Sequence, residues 1–242
     1  MPGTGQNLKS GLTSQIRMID NLIGRPTADV VSRFAQTRPE VATFSVGGYD
    51  HTSYEGEPIL KDLVSLWQRK IKNSGWVDEV RRGTGARYIA ITSGVQEYTG
   101  NTEYHIPMLD ADDGSDERAR EALKVNLGKL DMPAGVIISS GRGLHYMGLR
   151  PITNEQFNTV TREYGRKFDS HPDDWAELPG IDREWLYISK KRGFFALRLT
   201  PDLLFGQPVV VDTYRAEDFP EVPVPAGKVR TLINTVQSLI RH

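Results

Sequence analysis

The chain has 242 residues, 38% of them hydrophobic and 25% charged, with a formal net charge of −1 at pH 7. That length supports a substantial core in one domain of two lobes, and the charge balance excludes a global pull on polyanions, so any such contact must use local basic patches. Cysteine is absent, which excludes disulfides, thiolate zinc sites and cysteine nucleophiles and leaves oxygen and imidazole as the only metal ligands.

Residues 1 to about 40 read as a mostly polar entry segment with one short helix, in which Leu12, Ile16, Ile19 and Ile23 recur at three- and four-residue steps before Gly24 and Pro26. The opening residues 1–6 carry no hydrophobic signal core and no apolar run reaches the length of a membrane span, so the chain reads as soluble and cytoplasmic. Residues 41–46 are a β-prone run, and Gly47-Gly48 after it signals a turn. Across 58–73, Ile59, Leu63, Trp67 and Ile71 recur at fourfold spacing beside Leu60 and Val64, which predicts an amphipathic helix. Residues 87–92 read as a strand, and 104–110 as the strand that delivers an acidic cluster.

Ser115 reads as the N-cap of a helix with Ala119, Leu123, Leu127 and Leu130 on one face. Residues 135–138 are a buried-strand candidate, with 145–149 returning as its hairpin partner after a Gly-rich turn. Thr153 and Gln156 form a capping-box pattern ahead of a helix carrying Phe157, Val160, Tyr164 and Phe168. Residues 170–181 read as a loop. Beyond it, 185–189 and 194–200 read as two strands joined by the basic turn Lys190-Lys191-Arg192-Gly193, with a further strand at 209–212. A Pro-rich connector over 219–227 leads to a terminal helix with Val229, Leu232, Ile233, Val236 and Ile240 on one side.

Two of these segments carry chemistry. In a strand, side chains two apart share a face, so Asp110 and Asp112 would project together and clamp one or two divalent cations. The turn Ser139-Ser140-Gly141-Arg142-Gly143-Leu144-His145 supplies backbone N–H groups, a cation and side-chain donors suited to phosphate oxygens. Each feature has a plainer reading: acids favour the start of a following helix, and Gly-rich turns commonly just close hairpins. Their conjunction and order favour the functional reading.

That order is Asp-x-Asp strand, helix, hairpin with Ser-Gly-x-Gly-x-His, helix, then an Asp-initiated hairpin rich in Lys and Arg. It resembles the archaeo-eukaryotic primase superfamily over about residues 105–200, through Leu109-Asp110-Ala111-Asp112, Ser139 to His145, and Asp182 through Lys190-Lys191-Arg192 to Arg198. The resemblance implies an α/β (α+β) primase-polymerase-like fold. In it an N-terminal αβ lobe, residues 1–100, packs on an RRM-like mixed or antiparallel sheet, residues 101–215, with 216–242 as C-terminal connector and helix.

The resemblance also implies a template-dependent nucleotidyltransferase, a DNA primase or DNA polymerase, acting on nucleoside triphosphates and a single-stranded or primed template. Two Mg²⁺ or Mn²⁺ ions would sit on Asp110 and Asp112 with Asp182 as third carboxylate, and no zinc is expected; Asp212 is a rival third acid. Ser140 and His145 would bind the triphosphate, with Arg142, Lys191, Arg192 and Arg198 as further phosphate contacts. Relatives often carry a zinc-binding module or a helicase domain for priming, so initiation would call on a helicase or accessory priming subunit. Another metal-dependent phosphoryl or glycosyl transferase or nuclease, and a primase-like module that only binds nucleic acid or nucleotides, remain the alternatives.

Overall fold

The computed structural model describes residues 21–38, 41–49, 61–71, 75–97, 103–111, 114–168, 181–201, 204 and 206–215. The helix expected over 12–23 lies almost wholly outside these residues, as do most of the 170–181 loop and the connector and terminal helix beyond 215. The first element described is a helix not expected from the sequence, α1 (Thr27–Thr37), which buries Ala28, Val30, Val31, Phe34 and Ala35. Those positions follow helical spacing just after Pro26, a residue suited to the threshold of a helix and read instead only as the end of the preceding one.

Strand β1 (Val41–Tyr49) runs through Gly47 and Gly48 where a turn was expected. A Cβ at Gly48 would lie 2.5 Å from the Ala86 Cβ, so glycine here permits close approach at a register shift between Val46 and Gly48. The helix expected over 58–73 is corrected: residues 61–67 are strand β2 (Lys61–Trp67), followed by a 3₁₀ turn, Gln68–Lys70. A spacing of four is also a multiple of two, so Leu63 and Trp67 share a strand face as readily as a helix face. Pairing with β1, from Thr43 opposite Trp67 to Gly48 opposite Lys61, decides between them.

Helix α2 (Gly75–Thr84), also unanticipated, buries Trp76 and Val77 and is tied to α1 by Trp76 Nε1 donating to Ser32 Oγ at 3.1 Å. Strand β3 (Tyr88–Glu97) follows. The single strand expected over 104–110 is two, β4 (Glu103–His105) and β5 (Met108–Ala111), broken at Ile106-Pro107 where the chain passes from one sheet to another. Helix α3 (Glu117–Lys129) is capped by Asp116, one residue beyond the expected Ser115, through a 2.8 Å bond from the Ala119 N–H. The hairpin of β6 (Gly135–Ser139) and β7 (Leu144–Gly148) forms where expected. Short β8 (Ile152–Thr153) leads into α4 (Asn154–Phe168), whose start is the expected capping box: Gln156 N–H to Thr153 Oγ1 at 3.2 Å, Thr153 N–H to Gln156 Oε1 at 2.9 Å.

The strand expected over 185–189 is instead helix α5 (Arg183–Arg192), opened by Asp182 and closed by Gly193 at φ 77°. Its Trp, Tyr and Ile favour strands intrinsically, but the N-cap carboxylate and a left-handed glycine at the other end define a helix. Strands β9 (Ala196–Arg198) and β10 (Val209–Tyr214) complete the described elements.

Among the described residues every ladder is antiparallel, in two sheets. The first runs β2-β1-β3-β4-β8 with β9 also on β3, so it draws strands from both halves of the chain; the second runs β10-β6-β7-β5. The α/β class with antiparallel sheets and helices is thereby borne out. One apolar cluster spans both sheets, from Val30 and Phe44 to Met108, Leu127, Ile138 and Tyr146. No described helix is long and apolar enough to cross a membrane.

Candidate active site

The second sheet presents Asp110 on its outermost strand. Residues opposite one another on antiparallel strands share a face, and the register places Asp110 opposite His145 and His145 opposite Ile138. His145 Nε2 lies 3.1 Å from Asp110 Oδ1, with only 12% and 15% of the two side chains exposed. That carboxylate oxygen is buried and receives no aligned hydrogen bond among the described residues. A mostly buried acid with one oxygen left this way strongly favours a positive neighbour.

The open edge of β5 is covered at this same residue, because the Asp182 N–H donates to the Asp110 carbonyl at 2.9 Å. Asp182 then turns its side chain to the start of α5, accepting from the Trp185 N–H at 3.1 Å. The residue expected as third carboxylate is thus bonded to Asp110 through its backbone, and its carboxylate serves as a helix cap. Asp112 lies outside the described residues. Asp212, the rival, projects with Ile137, Tyr146 and Leu109 to the opposite sheet face. There it meets Lys124 at 2.9 Å and Arg120 at 3.7 Å from α3. The structure does not bring it to Asp110.

The turn between β6 and β7 is organised by Ser140. Its N–H and Oγ both donate to the Gly143 carbonyl, at 3.0 and 3.2 Å, and its Oγ accepts from the Gly143 N–H at 3.1 Å. The hydroxyl is therefore engaged in shaping the loop, a local role typical of serine in turns. Arg142 stands exposed at the loop tip. Arg198, reaching across from β9, donates through Nη2 to the Ser140 carbonyl at 3.3 Å and so joins the first sheet to the loop. Lys191 and Arg192 occupy the last turn of α5, at the end away from Asp182 and Asp110. The structure brings together Asp110, His145 and the backbone of Asp182 on one side and Ser140, Arg142 and Arg198 around the loop, and leaves Lys191 and Arg192 apart.

Oxygen ligands from carboxylates suit Mg²⁺ or Mn²⁺, and the buried Asp110 oxygen without an aligned donor fits a cation. Among the described residues no three His, Asp or Glu side chains converge in metal-binding geometry; Asp112 is not among those residues.

Two antiparallel sheets with helices define the architecture as a mixed α/β chain, in which an acid faces a histidine across paired strands beside a glycine-rich turn. Residues 68–163 match the family model described as AEP-like, archaeo-eukaryotic primase 1D-like. The matched stretch encloses β5 and the β6–β7 hairpin, hence Asp110, Ser140, Arg142 and His145, and the resemblance to archaeo-eukaryotic primases is shown there. Among solved structures, the polymerase domain of Mycobacterium tuberculosis ligase D in complex with DNA is similar, with 10% identity and a TM-score of 0.37 over 77% of this chain and 85% of that one. No curated protein matches the chain in sequence.

Proposed function

We propose that this chain is the catalytic domain of a template-dependent nucleotidyltransferase, a DNA primase or DNA polymerase that joins nucleoside triphosphates to a 3′-hydroxyl. The observation that carries the reading is the Asp110–His145 pair, a buried carboxylate facing an imidazole across one rung of the sheet, inside the stretch that matches a primase-like model. Asp110 and Asp112, with Asp182 as third carboxylate, would hold Mg²⁺ or Mn²⁺. Such ions lower the pKa of the attacking hydroxyl and neutralise charge on the leaving pyrophosphate.

The remaining residues bind and orient. His145, beside Asp110, donates to a phosphate oxygen entering over the hairpin. Ser140 acts through the loop it shapes, whose tip carries Arg142 as an exposed cation for the outer phosphates. Arg198 fixes that loop from β9 and presents its guanidinium to the same side. Lys191 and Arg192, farther off, suit the template backbone, and a helicase or accessory subunit would join for priming.

The test is incorporation of labelled nucleotides on primed and unprimed templates with Mg²⁺ or Mn²⁺, beside Asp110→Ala. Metal-dependent extension that the variant loses is the expected result. No incorporation by folded protein, or hydrolysis of template or transfer from nucleotide sugars in its place, overturns the reading.

A further inference from the structure

Ser93 lies on β3 between the stretch that pairs with β9, residues 90–92, and the stretch that pairs with β4, residues 94–96. At this gap it binds both neighbours at once. Its N–H donates to the Phe195 carbonyl at 2.8 Å, its carbonyl accepts from the Ile106 N–H at 2.7 Å, and its Oγ accepts from the Phe195 N–H at 3.0 Å. Asn154 Oδ1 can only accept, so in the neutral ring His105 Nε2, 2.8 Å away, carries the proton, and Nδ1 accepts from the Ser93 hydroxyl at 3.0 Å. The ring is stacked on Phe157 at a centroid distance of 3.9 Å, and both Ser93 and His105 are buried.

Each partner leads to the site. Three residues past Phe195 is Arg198, whose guanidinium holds the Ser140 loop. Past Ile106 the chain crosses between sheets at Pro107, whose carbonyl accepts from the Gly148 N–H at 2.8 Å, and reaches Asp110 on β5. Asn154 opens α4. We propose that Ser93 and His105 are positioning residues, a buried hydrogen-bonded hub that fixes the acidic strand carrying Asp110 against the strand carrying Arg198. The assignment rests on the nucleotidyltransfer reading for its kinetic consequence and not for its geometry.

Apolar packing alone does not require a hydrogen-bonded Ser93 and His105 in the buried interior, where every unmet group is costly. The hub is directional, and it ties β3 to the segment that leads to Arg198 and to the segment that leads to Asp110, so it bears on where Arg198 sits relative to Asp110. Removing the Ser93 hydroxyl frees the Phe195 N–H and the His105 acceptor together.

The test compares Ser93→Ala, His105→Asn and His105→Gln in the full chain. The Asn carboxamide oxygen stands in for Nδ1 and keeps the bond from Ser93; the Gln amide stands in for the other nitrogen and keeps only the bond to Asn154. In backbone amide spectra, Ser93→Ala and His105→Gln are expected to move the Asp110, Ser140 and Arg198 resonances, and His105→Asn to leave them near wild type. In kinetics, Ser93→Ala is expected to raise KM for the nucleoside triphosphate about tenfold with kcat changed less, and His105→Asn to restore it. Unmoved Asp110 and Arg198 resonances in Ser93→Ala, or moved resonances with unchanged kinetics in an active enzyme, overturn the proposal. If Ser93→Ala does not fold, the contrast between the two His105 variants decides in the same way. Moved resonances in the variants of a chain whose folded wild type transfers no nucleotide refute the enzymatic reading and leave the hub standing.

Discussion

Asp182 is fastened to Asp110 through the backbone, N–H to carbonyl at 2.9 Å, while its carboxylate caps the helix that follows. One residue therefore closes the edge of the acidic strand and starts α5. These roles separate by substitution. Asp182→Ala removes the cap and is expected to cost about 1 kcal/mol, read as a lower urea midpoint. Asp182→Asn keeps a capping oxygen and the midpoint, and loses metal-dependent incorporation if the charge is needed for the cation. Full activity in a stable Asp182→Asn protein would reduce Asp182 to a cap.

Asp110→Ala and His145→Ala are expected to fail differently. The first removes a charge the proposed chemistry depends on, so turnover falls by about 100-fold or more and Mn²⁺ binding weakens in parallel. The second leaves the carboxylate in place and raises KM for the triphosphate more than it lowers kcat. Steady-state kinetics with Mn²⁺ titration distinguish the two, and equal losses of kcat with unchanged metal affinity would remove Asp110 from the metal site.

Legibility in the sequence followed the range of the interaction that decides each element. The β6–β7 hairpin, the Thr153–Gln156 capping box and the helix after the acids were all readable because neighbours in sequence settle them. Residues 61–67 were misread because fourfold spacing fits both periods, and only the pairing with β1 breaks the tie. The exposure of Leu63 and Trp67, at 53% and 49%, marks an edge strand whose apolar pattern does not report a buried face. Residues 183–192 were misread through strand propensity, although Asp182 and Gly193 offered legible helix stops. Asp110 and His145 could be named from their motifs. Their pairing across β5 and β7 fits the conjunction that singled them out. The Ser93–His105–Asn154 chain left no trace, since a lone Ser, His and Asn acquire meaning only when three distant segments meet.

Asp212 offers a test of which acids belong to the site. Burial alone would lower the Lys124 pKa, but hydrogen bonds to Asp212 and Glu121 outweigh it and hold the ammonium above its ordinary value. A raised folded-state pKa contributes stability that is complete below the unfolded value and is lost as pH rises through the folded one, so the window is strongly alkaline. Asp212→Asn is expected to cost about 1 kcal/mol at neutral pH and to converge on wild type in alkaline urea titrations. Incorporation is expected to be unchanged, because Asp212 projects to the α3 side of the sheet. Loss of activity without loss of stability would restore it as the third carboxylate.

Gly135 faces Gly148 at the base of the hairpin. A Cβ there would sit 2.5 Å from the Met147 carbonyl oxygen and 2.5 Å from the Tyr146 ring. The carbonyl is part of the ladder, and the Tyr146 hydroxyl is anchored on the Pro133 carbonyl. Neither can yield cheaply. Gly135→Ala is expected to destabilise by about 1–3 kcal/mol, read by thermal unfolding, whereas Gly83→Ala, with open space around it, is expected to be neutral or slightly stabilising.

Distance ranks the cations. Arg142 is at the tip of the loop that Arg198 holds through the Ser140 carbonyl, while Lys191 lies in the last turn of α5, about 13 Å along the helix from Asp182 at roughly 1.5 Å per residue. A triphosphate held between Asp110 and the loop meets the first and not the second. Arg142→Ala is therefore expected to raise KM for the triphosphate about tenfold, and Lys191→Ala to leave it within about twofold. A charge placed along the template instead shows in salt dependence, so Lys191→Ala is expected to lower the slope of log affinity against log salt by about one for a single-stranded oligonucleotide. Anisotropy across a salt series reads that slope beside steady-state kinetics. Equal rises in KM for both variants would mean that the phosphates run along α5 and not over the hairpin tip.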